Sequence, residues 1–128
     1  MKYEDLTHEI IGACFEVSRE LGAGFVESIY ENAVMIALEE RGLDSQRQVP
    51  LAVHYRGQVV GRFQADIVVE KTIILELKAV AKITPQHKAQ LINYLNATGL
   101  DVGLLLNFGR PKLQFARCWR DGDTDLRG

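Results

Sequence analysis

The sequence predicts an α/β domain in which helices cover one central sheet. Apolar residues recur at helical spacing as far as Arg41, and the period then changes to about two, as in β-strands. A Thr-Pro pair at positions 84–85 predicts one more helix between two sets of strands. The resulting order is α-α-β-β-β-α-β-β, and a strand meander followed by a helix and a further strand is typical of an α/β sheet.

Two N-terminal helices are predicted from apolar spacing and from the glycines that stop them. The first runs from about Leu6 to Leu21 and ends at Gly22-Ala23-Gly24, where glycine allows the left-handed backbone of a helix end. The second runs from about Phe25 to Arg41 and stops at Gly42. Its predicted buried stripe consists of Val26, Ile29, Ala33, Ile36 and Ala37.

Three strands are predicted next. Gln48 to Tyr55 forms the first, and Pro50 favours an edge position or a bulge because proline cannot donate to a neighbouring strand. Arg56-Gly57 makes a short hairpin turn into a long second strand from Gln58 to Val69. The third strand, Ile73 to Ala79, is rich in β-branched and aliphatic residues.

The C-terminal third contains one helix and two strands. The helix runs from Thr84-Pro85 to about Ala97. Val102 to Phe108 is apolar and short, which predicts a strand buried on both faces, and Leu113 to Trp119 is a candidate fifth strand. The polar tail from Arg120 to Gly128 is expected to be frayed.

Length and charge limit the classes of function. The 128 residues predict one domain spanning 1–128. Met1 to Asp5 lacks the layout of a signal peptide, no apolar run is long enough to cross a bilayer, and Cys14 and Cys118 lack metal or redox spacing. These features predict a reduced cytoplasmic protein without a membrane partner. The net charge of −2 requires that any nucleic-acid function depend on a local basic patch.

Asp66, Glu76 and Lys78 are the candidates for chemistry. Glu76 and Lys78 lie two apart on a strand and project from one face. If Val69 pairs with Ile73, Asp66 lies opposite Glu76, with Cβ atoms roughly 5 Å apart. The same register gives a wholly apolar opposite face: Ile67, Val69, Ile73, Leu75 and Leu77. A slip by one residue would mix both faces, so the apolar pattern favours this register.

Two adjacent carboxylates repel each other, and near a sheet core they also lose solvation. A bound divalent cation would offset both costs, and Mg²⁺ or Mn²⁺ prefers such oxygen ligands. Lys78 could then position or deprotonate a water molecule, or stabilise charge on a phosphate. An ion-pair cluster of Asp66, Glu76 and Lys78 on an exposed strand is the structural alternative.

Two helices carry further candidate residues. Glu27 and Tyr30 lie three apart at the start of the second helix, where Glu27 could be a third acidic group or could simply suit the helix dipole. Gln90 and Tyr94 lie four apart on the third helix, with His87 beside that face. Alternatively, Gln90 could be a polar residue that faces solvent, and Tyr94 could pack in the core.

These residues resemble the small bacterial and archaeal GxxExxY family of the PD-(D/E)XK nuclease superfamily. The similarity consists of Gly-x-x-Glu-x-x-Tyr at Gly24 to Tyr30, Asp66, Glu76-Leu77-Lys78, Ala89 to Leu95, and Gly103 to Gly109. It extends over essentially the whole chain. One departure is that Ala65, and not a proline, precedes Asp66, which removes no ligand.

The resemblance implies a restriction-endonuclease-like αβββαβ core with a central mixed sheet, flanking helices and an extra N-terminal helix. It implies that Glu27, Asp66 and Glu76 hold Mg²⁺ or Mn²⁺ and that Lys78 orients the attacking water. Gln90 and Tyr94 match a Gln-x-x-x-Tyr helix motif beside the site in the recombination-nuclease branch.

The resulting hypothesis is a metal-dependent nuclease that hydrolyses phosphodiester bonds, with DNA as the expected substrate. The basic residues expected to contact phosphates are Lys82, His87, Lys88, Arg110 and Lys112, for each of which a solvated surface is the simpler explanation. The alternative is a catalytically silent binding or regulatory module on a nuclease scaffold, acting through a partner or as a homodimer.

Overall fold

The computed structural model describes residues 3–128, so Met1 and Lys2, the start of the predicted domain, lie outside the described residues. The described residues form three helices and six strands in the order α1 (Glu4–Leu21), α2 (Glu27–Glu40), β1 (Ser45–Tyr55), β2 (Gln58–Val69), β3 (Ile73–Lys78), α3 (Pro85–Thr98), β4 (Val102–Asn107), β5 (Gln114–Trp119) and β6 (Thr124–Arg127).

The six strands form one mixed sheet in sequential order from β1 to β6. Only β3 and β4 run parallel among the described strands, because α3 connects them across one face; the other neighbours are antiparallel. The predicted mixed α/β fold with an αβββαβ core and an extra N-terminal helix is therefore confirmed. Pro50 lies in the edge strand, as predicted from its missing amide.

Two apolar clusters cover the two faces of the sheet. One cluster joins α1 and α2 to alternate residues of β3 and β4, including Leu75 and Leu104. The other joins Leu91 and Leu95 of α3 to the opposite face, where Ile74 lies. All six residues of β4 are buried, as predicted for a strand covered on both faces.

The buried face of α2 differs from the predicted stripe. Val26 and Ile36 are 65% and 60% exposed, whereas the helix buries a face displaced around its axis. That face consists of Tyr30, Val34, Ala37 and Leu38. Tyr30 sets the rotation because its ring stacks on Phe108 with a centroid distance of 4.7 Å.

The expectation of a frayed tail from Arg120 to Gly128 is wrong. Residues 124–127 form β6, which pairs antiparallel with β5 at the edge of the sheet. An ion pair of 3.2 Å between Arg117 and Asp125 joins the two strands. Backbone pairing with β5 and this cross-strand contact keep residues 124–127 ordered, although their composition is polar.

Among residues 3–128, no helix combines the length and the apolar character needed to cross a membrane.

Candidate functional site

The predicted pairing of β2 with β3 is confirmed. Val69 pairs with Ile73 and Ile67 with Leu75, so Asp66 is the first residue of β2 beyond the recorded pairs. Its carboxylate Oδ2 accepts a hydrogen bond of 2.7 Å from the amide of Leu77. The side chain of Asp66 thus takes the place of a backbone acceptor at the point where the two strands separate.

Glu76 lies beside Asp66 on the face of the sheet that α3 covers. Within residues 3–128, its Oε1 atom is shielded from solvent and has no hydrogen-bond partner. Burial, followed by the charge of Asp66, raises the pKa of Glu76 to about 8, while Lys78 acts in the opposite direction. The carboxylate of Glu76 therefore lies where a positive charge would stabilise it.

Lys78 is the last residue of β3 and is half-buried. The parallel neighbour β4 fixes its backbone, since Lys78 pairs with Asn107 and its carbonyl accepts a hydrogen bond of 2.8 Å from the amide of Phe108. Its ammonium group lies close enough to influence both Glu76 and His87. Asp66, Glu76 and Lys78 therefore lie together, as the strand register predicts.

Glu27 reaches the same end of β3 from the first turn of α2. Its Oε1 atom accepts a hydrogen bond of 3.3 Å from the amide of Ala79, the residue after the strand. The Gly-x-x-Glu-x-x-Tyr motif has a structural explanation in the fully buried Tyr30. Its hydroxyl donates to the carbonyl of Gly22 at 2.6 Å and accepts from the amide of Phe25 at 3.2 Å. Tyr30 thereby fixes the turn that positions Glu27.

On α3, Gln90 is exposed and Tyr94 is half-buried. The Tyr94 ring stacks on Phe63 of β2, with centroids 3.7 Å apart. Burial, followed by the charges of Glu76 and Asp66, raises the pKa of the Tyr94 hydroxyl. The structure therefore brings Tyr94 to the carboxylate pair, and places Gln90 on the outer surface of the same helix.

His87 has a structural role at the start of α3. Its Nδ1 accepts the amide of Thr84 at 3.0 Å, and its own amide donates to Thr84 Oγ1 at 3.2 Å, which completes a capping box. Burial, followed by the charge of Lys78, lowers the pKa of His87, while Glu27 acts in the opposite direction. A neutral imidazole with Nδ1 as acceptor agrees with this environment.

The other basic candidates lie on segments that meet at this end of the sheet. Lys82 is exposed between β3 and α3, and Lys112 is exposed between β4 and β5, where Arg110 is half-buried. These two segments touch, because a Cβ added at Gly109 would lie 2.4 Å from backbone atoms of Val80. Lys88 is half-buried on α3, where burial raises the pKa of Cys118 of β5 and the charge of Lys88 acts in the opposite direction.

Sequence reasoning missed a buried pair of amides beneath the site. Asn107 is fully buried; its Oδ1 accepts the amides of Val80 and Gly109 at 3.0 Å, and its Nδ2 donates to Val80 O at 3.0 Å. Gln114 Oε1 accepts from Asn107 at 3.1 Å and from the amide of Ile83 at 2.9 Å. The sequence contained a signal for this pair, because Asn107 is a polar residue at the end of the otherwise apolar strand β4. The pair holds the segment that follows Lys78.

The residues at the end of β3 fit a hard divalent cation. Carboxylate oxygens are the ligands that Mg²⁺ prefers, and the partnerless oxygen of Glu76 beside Asp66 is a suitable donor. Glu27, the third predicted ligand, instead bonds to the amide of Ala79. Across residues 3–128, no three His, Cys, Asp or Glu side chains form a group that could hold a metal ion. The immediate donors are thus the carboxylates of Asp66 and Glu76.

Fold and site together define a restriction-endonuclease-like domain, with acids and a lysine at the end of the third strand of an αβββαβ core. A family model described as the PD-(D/E)XK nuclease superfamily matches residues 4–118. The chain belongs to this superfamily.

A solved structure titled "Crystal structure of SSO0001" is similar in fold, with a TM-score of 0.57 and 22% sequence identity. The matched region covers 92% of this chain and 59% of that chain, so this chain spans little more than half of the longer protein. No curated protein matches the chain.

Proposed function

We propose that the chain is a metal-dependent nuclease that hydrolyses phosphodiester bonds in DNA, that residues 1–128 form its single domain, and that it belongs to the GxxExxY group of the superfamily. One observation carries the proposal. A shielded carboxylate oxygen of Glu76, without a partner among residues 3–128, lies beside Asp66 and within the influence of Lys78. Such a group is costly to bury unless it meets a cation.

The protein's own residues supply positioning. The Leu77 amide holds the carboxylate of Asp66, and the Ala79 amide holds that of Glu27. Asp66 and Glu76 would bind Mg²⁺ or Mn²⁺, with Glu27 as a third candidate ligand. When bound, such an ion neutralises phosphate charge and lowers the pKa of a water molecule. Lys78 would orient the attacking water or contact the scissile phosphate, and Tyr94 would steady the carboxylates from α3.

The test is cleavage of labelled duplex, single-stranded and branched DNA, and of RNA, with Mg²⁺ or Mn²⁺. Asp66→Asn keeps an oxygen that can accept the Leu77 amide, so the fold should survive while cleavage is lost. Lys78→Gln should slow cleavage by about 10²-fold or more. The matched control is Lys71→Gln, which removes the same charge from an exposed position at the opposite end of the β2–β3 hairpin and should leave the rate unchanged.

Calorimetric titration with Mg²⁺ and Mn²⁺ separates this proposal from a silent module. Wild-type protein should bind the ion, and Glu76→Gln should bind it more weakly than Glu39→Gln, whose exposed side chain lies on α2. Metal binding without cleavage of any of these substrates would favour a regulatory module. Cleavage that persists in both Asp66→Asn and Lys78→Gln would refute the assignment of the site.

A further inference from the structure

The small net charge of the chain conceals a strong separation of charge. Residues 1–44, which contain α1 and α2, carry ten Asp and Glu against three Lys and Arg, a net charge of −7. Residues 45–120, which contain five strands and α3, carry eleven Lys and Arg against four Asp and Glu, a net charge of +7. Three arginines of this segment are paired with acids, Arg47 with Glu31, Arg117 with Asp125 and Arg120 with Asp101. The remaining basic residues favour polyanions even though the whole chain is at −2.

Part of this basic segment forms a hairpin that extends beyond the rest of the sheet. The recorded pairs between β2 and β3 begin at Ile67, whereas β1 and β2 pair with each other out to Tyr55 and Gln58. We call residues 49–65 the hairpin arm. The arm contains Arg56 and Arg62 and has no Asp or Glu. Within residues 3–128, neither arginine forms an ion pair, and both are exposed.

The tip of the hairpin arm exposes groups suited to a nucleic-acid surface. Tyr55 is 59% exposed, and the guanidinium carbon of Arg56 lies 4.9 Å from the centre of its ring. A register shift between Val53 and His54 adds a residue to the facing strand, which twists the ribbon. A two-stranded ribbon of this kind fits the major groove of a duplex.

The base of the hairpin arm is fixed to the candidate site. Phe63 of the arm stacks on Tyr94 of α3. The pKa of the Tyr94 hydroxyl is raised by burial and then by the charges of Glu76 and Asp66, so Tyr94 lies near the carboxylate pair. Along β2, Arg62 precedes Asp66 by four residues, which is about 13 Å of strand. One strand of a duplex has about four phosphates in that distance. The arm therefore holds the backbone of Arg62 at a set spacing from Asp66.

We propose that the hairpin arm binds the phosphate backbone of a nucleic-acid duplex beside the bond that is cut, with Arg56 and Arg62 as the phosphate contacts. This inference rests on the proposed function because it assumes that a bond of the nucleic acid is cut. The affinity of the arm for a duplex can be measured independently of cleavage. It also places the main contact away from Lys82, Lys88 and the turn that carries Arg110 and Lys112.

The experiment measures binding of a labelled duplex about two helical turns long by fluorescence anisotropy. The full chain carries Asp66→Asn to prevent cleavage, and Mg²⁺ is present. Adding Arg56→Gln and Arg62→Gln together should weaken binding about 60-fold near 0.1 M salt, because each phosphate contact contributes about one power of the salt concentration. The slope of log affinity against log salt should fall in magnitude by about 1.8.

The control is Arg127→Gln, which removes one ion-paired arginine from β6, the opposite edge strand, and should change affinity less than twofold. The urea midpoint should be the same in all variants, since both arm arginines are exposed. An arm variant that binds as tightly as its parent, a parent that binds single strands but not the duplex, or an equal loss in Arg127→Gln would overturn the inference.

The two proposals fail in different ways. If the arm variant loses duplex affinity but wild-type protein cuts no substrate, the arm inference stands and the nuclease proposal falls. If wild-type protein cuts DNA and the arm variant binds and cuts with unchanged affinity and rate, the nuclease proposal stands and the arm inference falls.

Discussion

Replacing Glu76 by glutamine should change the pH dependence of stability. The pKa of Glu76 is about 8 in the folded protein against an ordinary 4.5, mainly because the carboxyl is buried and secondly because Asp66 is close. Between these two pH values the unfolded chain has lost a proton that the folded chain keeps. Unfolding therefore releases a proton, and folding becomes less favourable as the pH rises from 4.5 to 8.

The size of the effect follows from the same two pH values. At about 1.4 kcal/mol per pH unit, the full difference would be about 5 kcal/mol. Glu76 is only half-buried, and solvent screening reduces this, so we expect about 2 kcal/mol. Glutamine has nearly the same shape and does not ionise. The variant should therefore equal wild type near pH 4.5 and exceed its stability by about 2 kcal/mol at pH 8.

The assay is urea unfolding followed by circular dichroism in EDTA, at several pH values across this range. Glu39→Gln, with an exposed side chain on α2, is the control and should follow wild type at every pH. Mg²⁺ at ten times its dissociation constant should then stabilise wild type by about 1.4 kcal/mol and Glu76→Gln by less. A stability difference that does not depend on pH would refute the burial argument for Glu76.

Three further substitutions test the supports of the site by urea unfolding. Tyr30→Phe removes the hydroxyl that bonds to the backbone of Gly22 and Phe25 and should cost about 1 kcal/mol and slow cleavage, whereas Tyr55→Phe at the exposed arm tip should cost nothing measurable. Gly109→Ala places a Cβ within 2.4 Å of neighbouring backbone and should cost about 3 kcal/mol, whereas Gly61→Ala enters open space. Asn107→Ala removes four hydrogen bonds and should cost about 3 kcal/mol, with faster hydrogen exchange in the segment after β3. Equal costs within either matched pair, or an unchanged exchange rate for Asn107→Ala, would contradict these expectations.

The strands of the site could be predicted from the sequence because nearby residues decide how these strands pair. The hairpin between β2 and β3 has a short turn and one wholly apolar face, and only one register keeps charged residues off that face. That register places Asp66 beside Glu76, and the pairs of Val69 with Ile73 and of Ile67 with Leu75 agree with it. The helix after β3 was equally clear, since Thr84 is its N-cap and Gly99 ends it.

The orientation of α2 and the last strand could not be predicted because distant residues decide them. α2 has apolar residues on more than one side, and Phe108, far along the chain, selects the side that carries Tyr30. β6 has a polar composition and becomes a strand because β5 offers an unpaired edge and Arg117 meets Asp125. The charge separation lies in the sequence itself, where the acidic residues 1–44 and the basic residues 45–120 nearly cancel in the net charge of −2.

Two acids of the site lie where the backbone pairing of β3 with β2 has ended, although β3 remains paired with β4 through Lys78. Past Leu75 the recorded pairing with β2 stops, and the amides of Leu77 and Ala79 bond to side-chain oxygens of Asp66 and Glu27. Each of these carboxylates therefore has a structural bond that needs only an oxygen acceptor, in addition to any chemistry that needs its charge. Amide substitutions keep an acceptor and remove the charge, whereas alanine removes both. Asp66→Asn and Glu27→Gln should thus retain stability that the alanine variants lose, while all four lose metal affinity. An alanine variant as stable as its amide counterpart would show that these backbone contacts do not hold the acids in place.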